Sequence, residues 1–203
     1  MAIDIDERKV ARNEFGLWLT WCLATMAGML LGFVPIALLV SDLDLGLARV
    51  LIPLVAGFLV GFLQWLVLRR YLTESTDWIL SGGASWAAAY ALGLIAVQLL
   101  AGSWLGAVLG YLLFGAIIGL VQWPVLRREI PNALSWVIAS IFGWALGAYL
   151  SQVVLALFSD GSPIDPLVST AVIVGVTGLV AGAITGLAFV RIVRQPDRYE
   201  RPA

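Results

Sequence analysis

Two stretches decide the fold: GFLVGFLQWLVLRR at 57–70 and GAIIGLVQWPVLRR at 115–128. Gly57, Gly61, Gln64, Trp65, Val67, Leu68, Arg69 and Arg70 of the first recur as Gly115, Gly119, Gln122, Trp123, Val125, Leu126, Arg127 and Arg128 of the second. The same displacement carries Trp78 to Trp136 and Trp86 to Trp144. A weaker third copy, GLVAGAITGLAFVR at 178–191, keeps Gly178, Gly182 and Arg191 and has Thr185 in place of the glutamine. Self-similarity at a fixed period marks a repeat architecture. Each copy here is an apolar run that ends on arginine.

The rest of the chain has the same character. Hydrophobic residues make up 61% and charged residues 12% of the 203 positions, against roughly 45–50% and ~25% in ordinary globular chains. Mean hydropathy is +0.97. This is the composition of an integral membrane protein. A helix needs roughly 20 apolar residues to cross the hydrocarbon core, and six runs reach that length: Leu17–Val40, Leu47–Leu68, Trp78–Ala101, Trp104–Leu126, Leu134–Phe158 and Leu167–Val190. They are apolar on all sides rather than alternating, which excludes a barrel strand. Backbone groups in lipid must pair internally, so each run is predicted to be a helix. The first run is too long for a signal-peptide core and reads as a retained span.

Basic residues set the direction. Arg8, Lys9 and Arg12, then Arg69 and Arg70, then Arg127 and Arg128, then Arg191, Arg194, Arg198 and Arg201 all fall on one side; Arg49 alone falls on the other, with Asp42, Asp44, Asp160 and Asp165. The expectation is a multi-pass protein of a bacterial cytoplasmic membrane with both termini cytoplasmic. The predicted organisation is one membrane domain: a cytoplasmic segment 1–14, repeats at 15–70, 71–128 and 129–191, and a cytoplasmic tail 192–203. Each repeat holds two spans, so all three point the same way and are related by an axis along the membrane normal. The expected fold is an all-α, six-helix bundle of three parallel hairpins in a pseudo-threefold arrangement. The Gly102-Ser103 gap predicts a tight hairpin between spans three and four.

The motif resembles that of uncharacterised multi-pass bacterial membrane proteins with Gly-x-x-Gln-Trp-x-x-Leu-Arg-Arg repeats. The resemblance rests on residues 57–70 and 115–128. It implies a family and no particular activity.

Absences narrow the function. The chain has no histidine and one cysteine, Cys22. It therefore lacks the commonest general base and metal ligand, and no internal disulfide is possible. No acidic or basic side chain lies mid-span, where such groups mark proton relays and ion-coupled transport. No catalytic, cofactor-binding or metal-binding residue is expected, and the net charge of −1 gives nucleic acid no foothold.

What remains are packing devices and a few polar candidates. GxxxG spacing at Gly28/Gly32, Gly57/Gly61, Gly106/Gly110, Gly115/Gly119, Gly143/Gly147, Gly178/Gly182 and Gly182/Gly186 predicts closely packed helices and no wide pore. Gln64 and Gln122, with Thr185 in the third copy, either bond a neighbouring helix or line a polar pocket near the axis. Trp18, Trp21, Trp65, Trp78, Trp123, Trp136 and Trp104 fall near span ends, as in an aromatic belt. Trp86 and Trp144 lie deeper, placed for core packing or for stacking on a lipid-soluble ring. Arg69, Arg70, Arg127 and Arg128 are candidates for anionic lipid headgroups. The four outer aspartates are either a weak cation site or solvated turn residues.

The reading that fits best is a non-enzymatic scaffold or accessory subunit of a membrane complex, with no cofactor. Its partners would be the bilayer and another membrane protein or further copies of itself. Two other readings stay open: a small channel or transporter for an uncharged solute, and an intramembrane pigment or quinone binder.

Overall fold

The computed structural model describes residues 3–39, 45–73, 75–99, 104–130, 132–159 and 164–193. They form six helices, α1 (Ile3–Leu39), α2 (Leu45–Leu68), α3 (Asp77–Leu99), α4 (Trp104–Leu126), α5 (Leu134–Phe158) and α6 (Pro166–Val193), and no strand lies among them. All six predicted spans are helical. α1, α2, α4, α5 and α6 contain segments long and apolar enough to cross a membrane. Boundaries of α2, α3 and α6 differ from expectation by one to three residues, and that of α1 by more: it begins at Ile3, so the polar segment before Leu17 continues the first helix. The Gly102-Ser103 hairpin lies outside the described residues, as do Asp42, Asp44, Asp160 and the arginines of the tail beyond Arg191.

α6 shows how an end is fixed. Asp165 Oδ1 accepts the backbone N–H of Leu167 at 2.8 Å and of Val168 at 3.1 Å. Pro166 starts the helix and has no N–H to leave unpaired. Asp165 is thus a helix cap.

The polarity of the bundle is inverted relative to a water-soluble protein. Phe62, Leu80, Phe142, Leu157 and Leu187 are exposed, while Thr25, Gln64, Ser85, Gln122, Ser151 and Thr185 are buried. Contiguous apolar surface of this extent requires an apolar solvent. Lipid then supplies no drive to bury these side chains, so association rests on close packing and interhelical hydrogen bonds.

The helices form a closed ring. The backbone of each packs against that of its chain neighbours, and α6 packs against α1; among the described residues the other helix pairs that meet do so through side chains alone. Contacts at opposed positions run antiparallel around the ring. A Cβ built on Gly28 would lie 2.7 Å from Val60 Cα, and one on Gly32 at 2.7 Å from Ala56 Cα. A Cβ built on Gly57 would lie 2.7 Å from the Gly82 carbonyl oxygen, one on Gly115 2.5 Å from that of Ser140, one on Gly147 2.8 Å from that of Thr177, and one on Gly182 2.9 Å from Cys22 Cα. Backbone therefore touches backbone at five of the six interfaces. The exception is α3 against α4, where Gly93 and Gly110 have nothing within 4 Å of a Cβ.

Two apolar layers fill the interior. One, at the end carrying Arg69, Arg127 and Arg191, contains Trp21, Leu68, Trp78, Leu126, Trp136 and Phe189. The other, near mid-height, contains Met29, Val60, Trp86, Ile118, Trp144 and Ala181.

Ring closure makes Cys22, buried against α6, a reporter of the α1–α6 interface. The folded protein in detergent is expected to resist a maleimide and to react once unfolded in dodecyl sulfate; rapid labelling of the folded protein would show the ring open. Gly115→Ala is expected to destabilise by ~1–3 kcal/mol through overpacking. Gly110→Ala, with free space around it, is expected to be neutral or stabilising by up to ~1 kcal/mol through its better helix propensity. Thermal unfolding followed by tryptophan fluorescence separates the two.

Candidate functional site

Three tryptophans, one from each odd-numbered helix, meet on the bundle axis. Trp21 and Trp78 have ring centroids 6.1 Å apart, Trp21 and Trp136 5.6 Å, and Trp78 and Trp136 5.3 Å, all edge to face. This geometry sets the positive edge of one ring against the negative face of the next. Phe189 stacks on Trp21 at 4.7 Å, and Tyr71 meets Phe189 edge-on. The three indoles are at most 1% exposed.

A buried indole N–H needs an acceptor, and each of the three finds one. Trp78 Nε1 donates to Gln64 Oε1 at 3.1 Å, and Trp136 Nε1 donates to Gln122 Oε1 at 3.2 Å. Trp21 Nε1 donates to Thr185 Oγ1 at 3.1 Å. Each bond joins an odd helix to an even one, α3 to α2, α5 to α4 and α1 to α6. Gln64 Nε2 also donates to Thr25 Oγ1 at 3.0 Å, and Thr25 Oγ1 to the Trp21 carbonyl at 2.9 Å. Thr185 Oγ1 donates in turn to the Ala181 carbonyl at 2.7 Å.

The structure thus gathers Gln64, Gln122 and Thr185 into one layer, as acceptors for a tryptophan cluster; none of them lines the cavity described below. It also corrects the belt assignment of Trp21, Trp78 and Trp136. Their rings point inward and fill the axis, because a ring of six helices leaves a central space that only large side chains can occupy. Trp65 and Trp123 are only partly buried, at the end of α2 and of α4. The guanidinium of Arg69 lies 5.1 Å from the Trp65 ring centre, and that of Arg127 4.7 Å from the Trp123 ring centre, within range for a cation–π contact. Arg128 pairs with Asp77 at 2.6 Å on the surface. Arg70 is exposed. The side chain of Trp104 lies outside the described residues.

Trp86 and Trp144 sit at mid-height, edge to face at 5.1 Å, with Phe114 at 5.3 and 5.9 Å. They form the floor of a cavity of about 340 Å³ on the side away from the tryptophan cluster. Its wall includes Tyr90, Gly110, Tyr111, Ser151 and Thr177, contributed by α3, α4, α5 and α6. Its lining includes no charged side chain. Ser151 Oγ donates to the Ala148 carbonyl at 2.7 Å, while Thr177 Oγ1 is buried without a hydrogen-bond partner. An orphaned buried hydroxyl costs about 1–3 kcal/mol.

Sequence reasoning found Trp86 and Trp144 and missed Tyr90, Phe114, Ser151 and Thr177. The signal for Phe114 was available: aligned on the glycine pairs, it stands where the other copies have Ala56 and Thr177. Among the described residues no three Cys, Asp or Glu side chains converge as a metal site would require. No family model, curated protein or solved structure matches the chain.

Gln64→Leu strips Trp78 of its acceptor and Thr25 of its donor. It is expected to cost ~1–3 kcal/mol in thermal unfolding, with Gln64→Asn milder. In the Trp78→Phe background, where no indole N–H is left to orphan, the cost of Gln64→Leu is expected to shrink. An undiminished cost there would mean that the bond contributes nothing.

Proposed function

We propose that this chain is a non-enzymatic integral membrane protein that acts as a packing scaffold or accessory subunit of a membrane complex. In this reading it lies in a bacterial cytoplasmic membrane, with the arginine end and both termini on the cytoplasmic side. Its six helices are three repeats about a pseudo-threefold axis. Each even helix pairs with the odd helix that follows it, and α6 closes the set by pairing with α1. The resemblance to multi-pass bacterial proteins with the Gly-x-x-Gln-Trp-x-x-Leu-Arg-Arg motif is in keeping with this.

One observation carries the reading. The polar side chains of the tryptophan layer are spent on the bundle itself: Gln64, Gln122 and Thr185 each hold an indole. Among the described residues no acid and base are juxtaposed within the ring, and three mutually packed indoles occupy the axis at that level. The outer surface and the two ends are then the places where the molecule meets others.

A channel or transporter for an uncharged solute is the second reading, and the cavity favours it. Passage would require three mutually packed indoles to part and three hydrogen bonds to break together. Proteoliposomes containing the purified protein are expected to swell in glycerol no faster than empty vesicles; protein-dependent swelling would replace the scaffold reading with the channel. Gentle solubilisation from native membranes is expected to give a particle well above the 21.8 kDa of one chain, with a second protein in fixed ratio. A lone monomer would overturn the scaffold.

A further inference from the structure

We propose that the cavity above Trp86 and Trp144 is a binding site for a small uncharged molecule with an aromatic or branched apolar body and one hydroxyl or carbonyl group, taken up from the membrane. This goes beyond the scaffold reading and does not rest on it.

Size comes first. An apolar cavity of ~150 Å³ accommodates one benzene ring. The cavity here, about 340 Å³, has room for roughly two such rings and falls within the ~300–1,000 Å³ range of small-molecule sites. Chemistry comes second. The floor is aromatic, Trp86, Trp144 and Phe114, and no charged side chain lines the wall. An ionised ligand would find no counter-charge.

Third, five polar side chains line the cavity, Tyr90, Tyr111, Ser151, Gln152 and Thr177, and two of them, Ser151 and Thr177, are buried hydroxyls on adjacent helices. Thr177 Oγ1, on α6, is buried and has no partner. Ser151, on the adjacent α5, is buried and donates its O–H to the Ala148 carbonyl, so towards a ligand its oxygen can only accept. Thr177 can donate to a ligand oxygen, and Ser151 can accept from a ligand hydroxyl. An apolar wall with one or two fixed polar groups orients an amphiphilic ligand. Access is the fourth point: Ala107 and Gln152 line the cavity and are exposed, so it communicates with the surface.

The test uses the purified full chain in lipid nanodiscs. The probe is 6-bromo-2-naphthol, whose bromine quenches tryptophan fluorescence on contact. Saturable quenching is expected, reversed by unbrominated 2-naphthol. Gly110→Leu places a side chain in the open space at that position and is expected to abolish the saturable component without lowering the unfolding temperature. Gly93→Leu serves the same purpose if Gly110→Leu does not fold. Thr177→Val is expected to weaken bromonaphthol binding about fivefold, the worth of a typical hydrogen bond, and to leave 2-bromonaphthalene, which has no hydroxyl, unaffected. Quenching that rises linearly, as for partition into protein-free discs, overturns the proposal. So does saturable quenching that survives a folded cavity-filling variant. Equal loss of both probes in Thr177→Val overturns the assignment of that hydroxyl.

Discussion

The bundle depends on the edge-to-face contact of Trp21, Trp78 and Trp136. Lipid does not drive helices together, so an interior must be assembled from shape and hydrogen bonds. A closed ring of six helices makes this harder, because helices on opposite sides do not touch and the axis must be filled by side chains. Three indoles fill it at one level. Each brings an N–H that cannot stay unpaired in hydrocarbon, and each finds its acceptor on the neighbouring even helix. One set of side chains therefore fixes both the radial packing and the lateral pairing of α2 with α3, α4 with α5 and α6 with α1. The three acceptors differ in type, two amides and a hydroxyl, yet hold their indoles at nearly the same distance.

The sixth interface breaks the pattern for reasons visible in single residues. Where α1 has Gly28 and Gly32 and α5 has Gly143 and Gly147, α3 has Ser85 and Ala89. Where α2 has Ala56 and α6 has Thr177, α4 has Phe114. Each of these residues puts a side chain where its counterpart on another helix is smaller. The ring of Phe114 is turned to the interior, against Trp86, Tyr90 and Trp144. The cavity follows from this one departure: the glycines beyond it, Gly93 and Gly110, face space instead of a neighbouring helix.

Much of this was legible in the sequence, and the limits were physical. Apolar run length gave the helices, since hydrocarbon leaves the backbone no other solution; α4 and α5 match to the residue. Glycine spacing pointed to close approach, and Gln64, Gln122 and Thr185 stood out as a matched set. Their partners were harder to see. A tryptophan near a span end reads as interfacial by position alone, and Trp78 and Trp136 are interfacial in height while buried in direction. Trp21 was hidden further, because its acceptor Thr185 lies at the opposite end of the chain and a linear repeat does not reveal a ring closed between first and last helices. The cavity was not legible, because it comes from the absence of contact at Gly93 and Gly110. Glycine at helical spacing reads as packing whether or not a neighbour is present.

The two ends of the bundle differ in how firmly they are held. At the arginine end the tryptophan layer is reinforced by its loops: Glu129 accepts the backbone N–H and hydroxyl of Thr73, and Arg128 pairs with Asp77, tying the α2–α3 connection to the α4–α5 connection. These exposed contacts are individually weak, worth at most ~1 kcal/mol for the ion pair, but they sit above a closed aromatic core. Away from that end the interfaces are unequal. Parting α1 from α6 would separate the backbone contacts at Gly178 and Gly182 and break the bond from Trp21 to Thr185. Between α3 and α4 the ring of Phe114 meets Trp86 and Tyr90 at mid-height. Ring contacts of this kind are worth about 0.5–1.5 kcal/mol each beyond their area, and they can be remade with another aromatic surface. The mid-height contact of α3 with α4 is therefore ring on ring, where α1 and α6 meet backbone on backbone, and it borders the cavity.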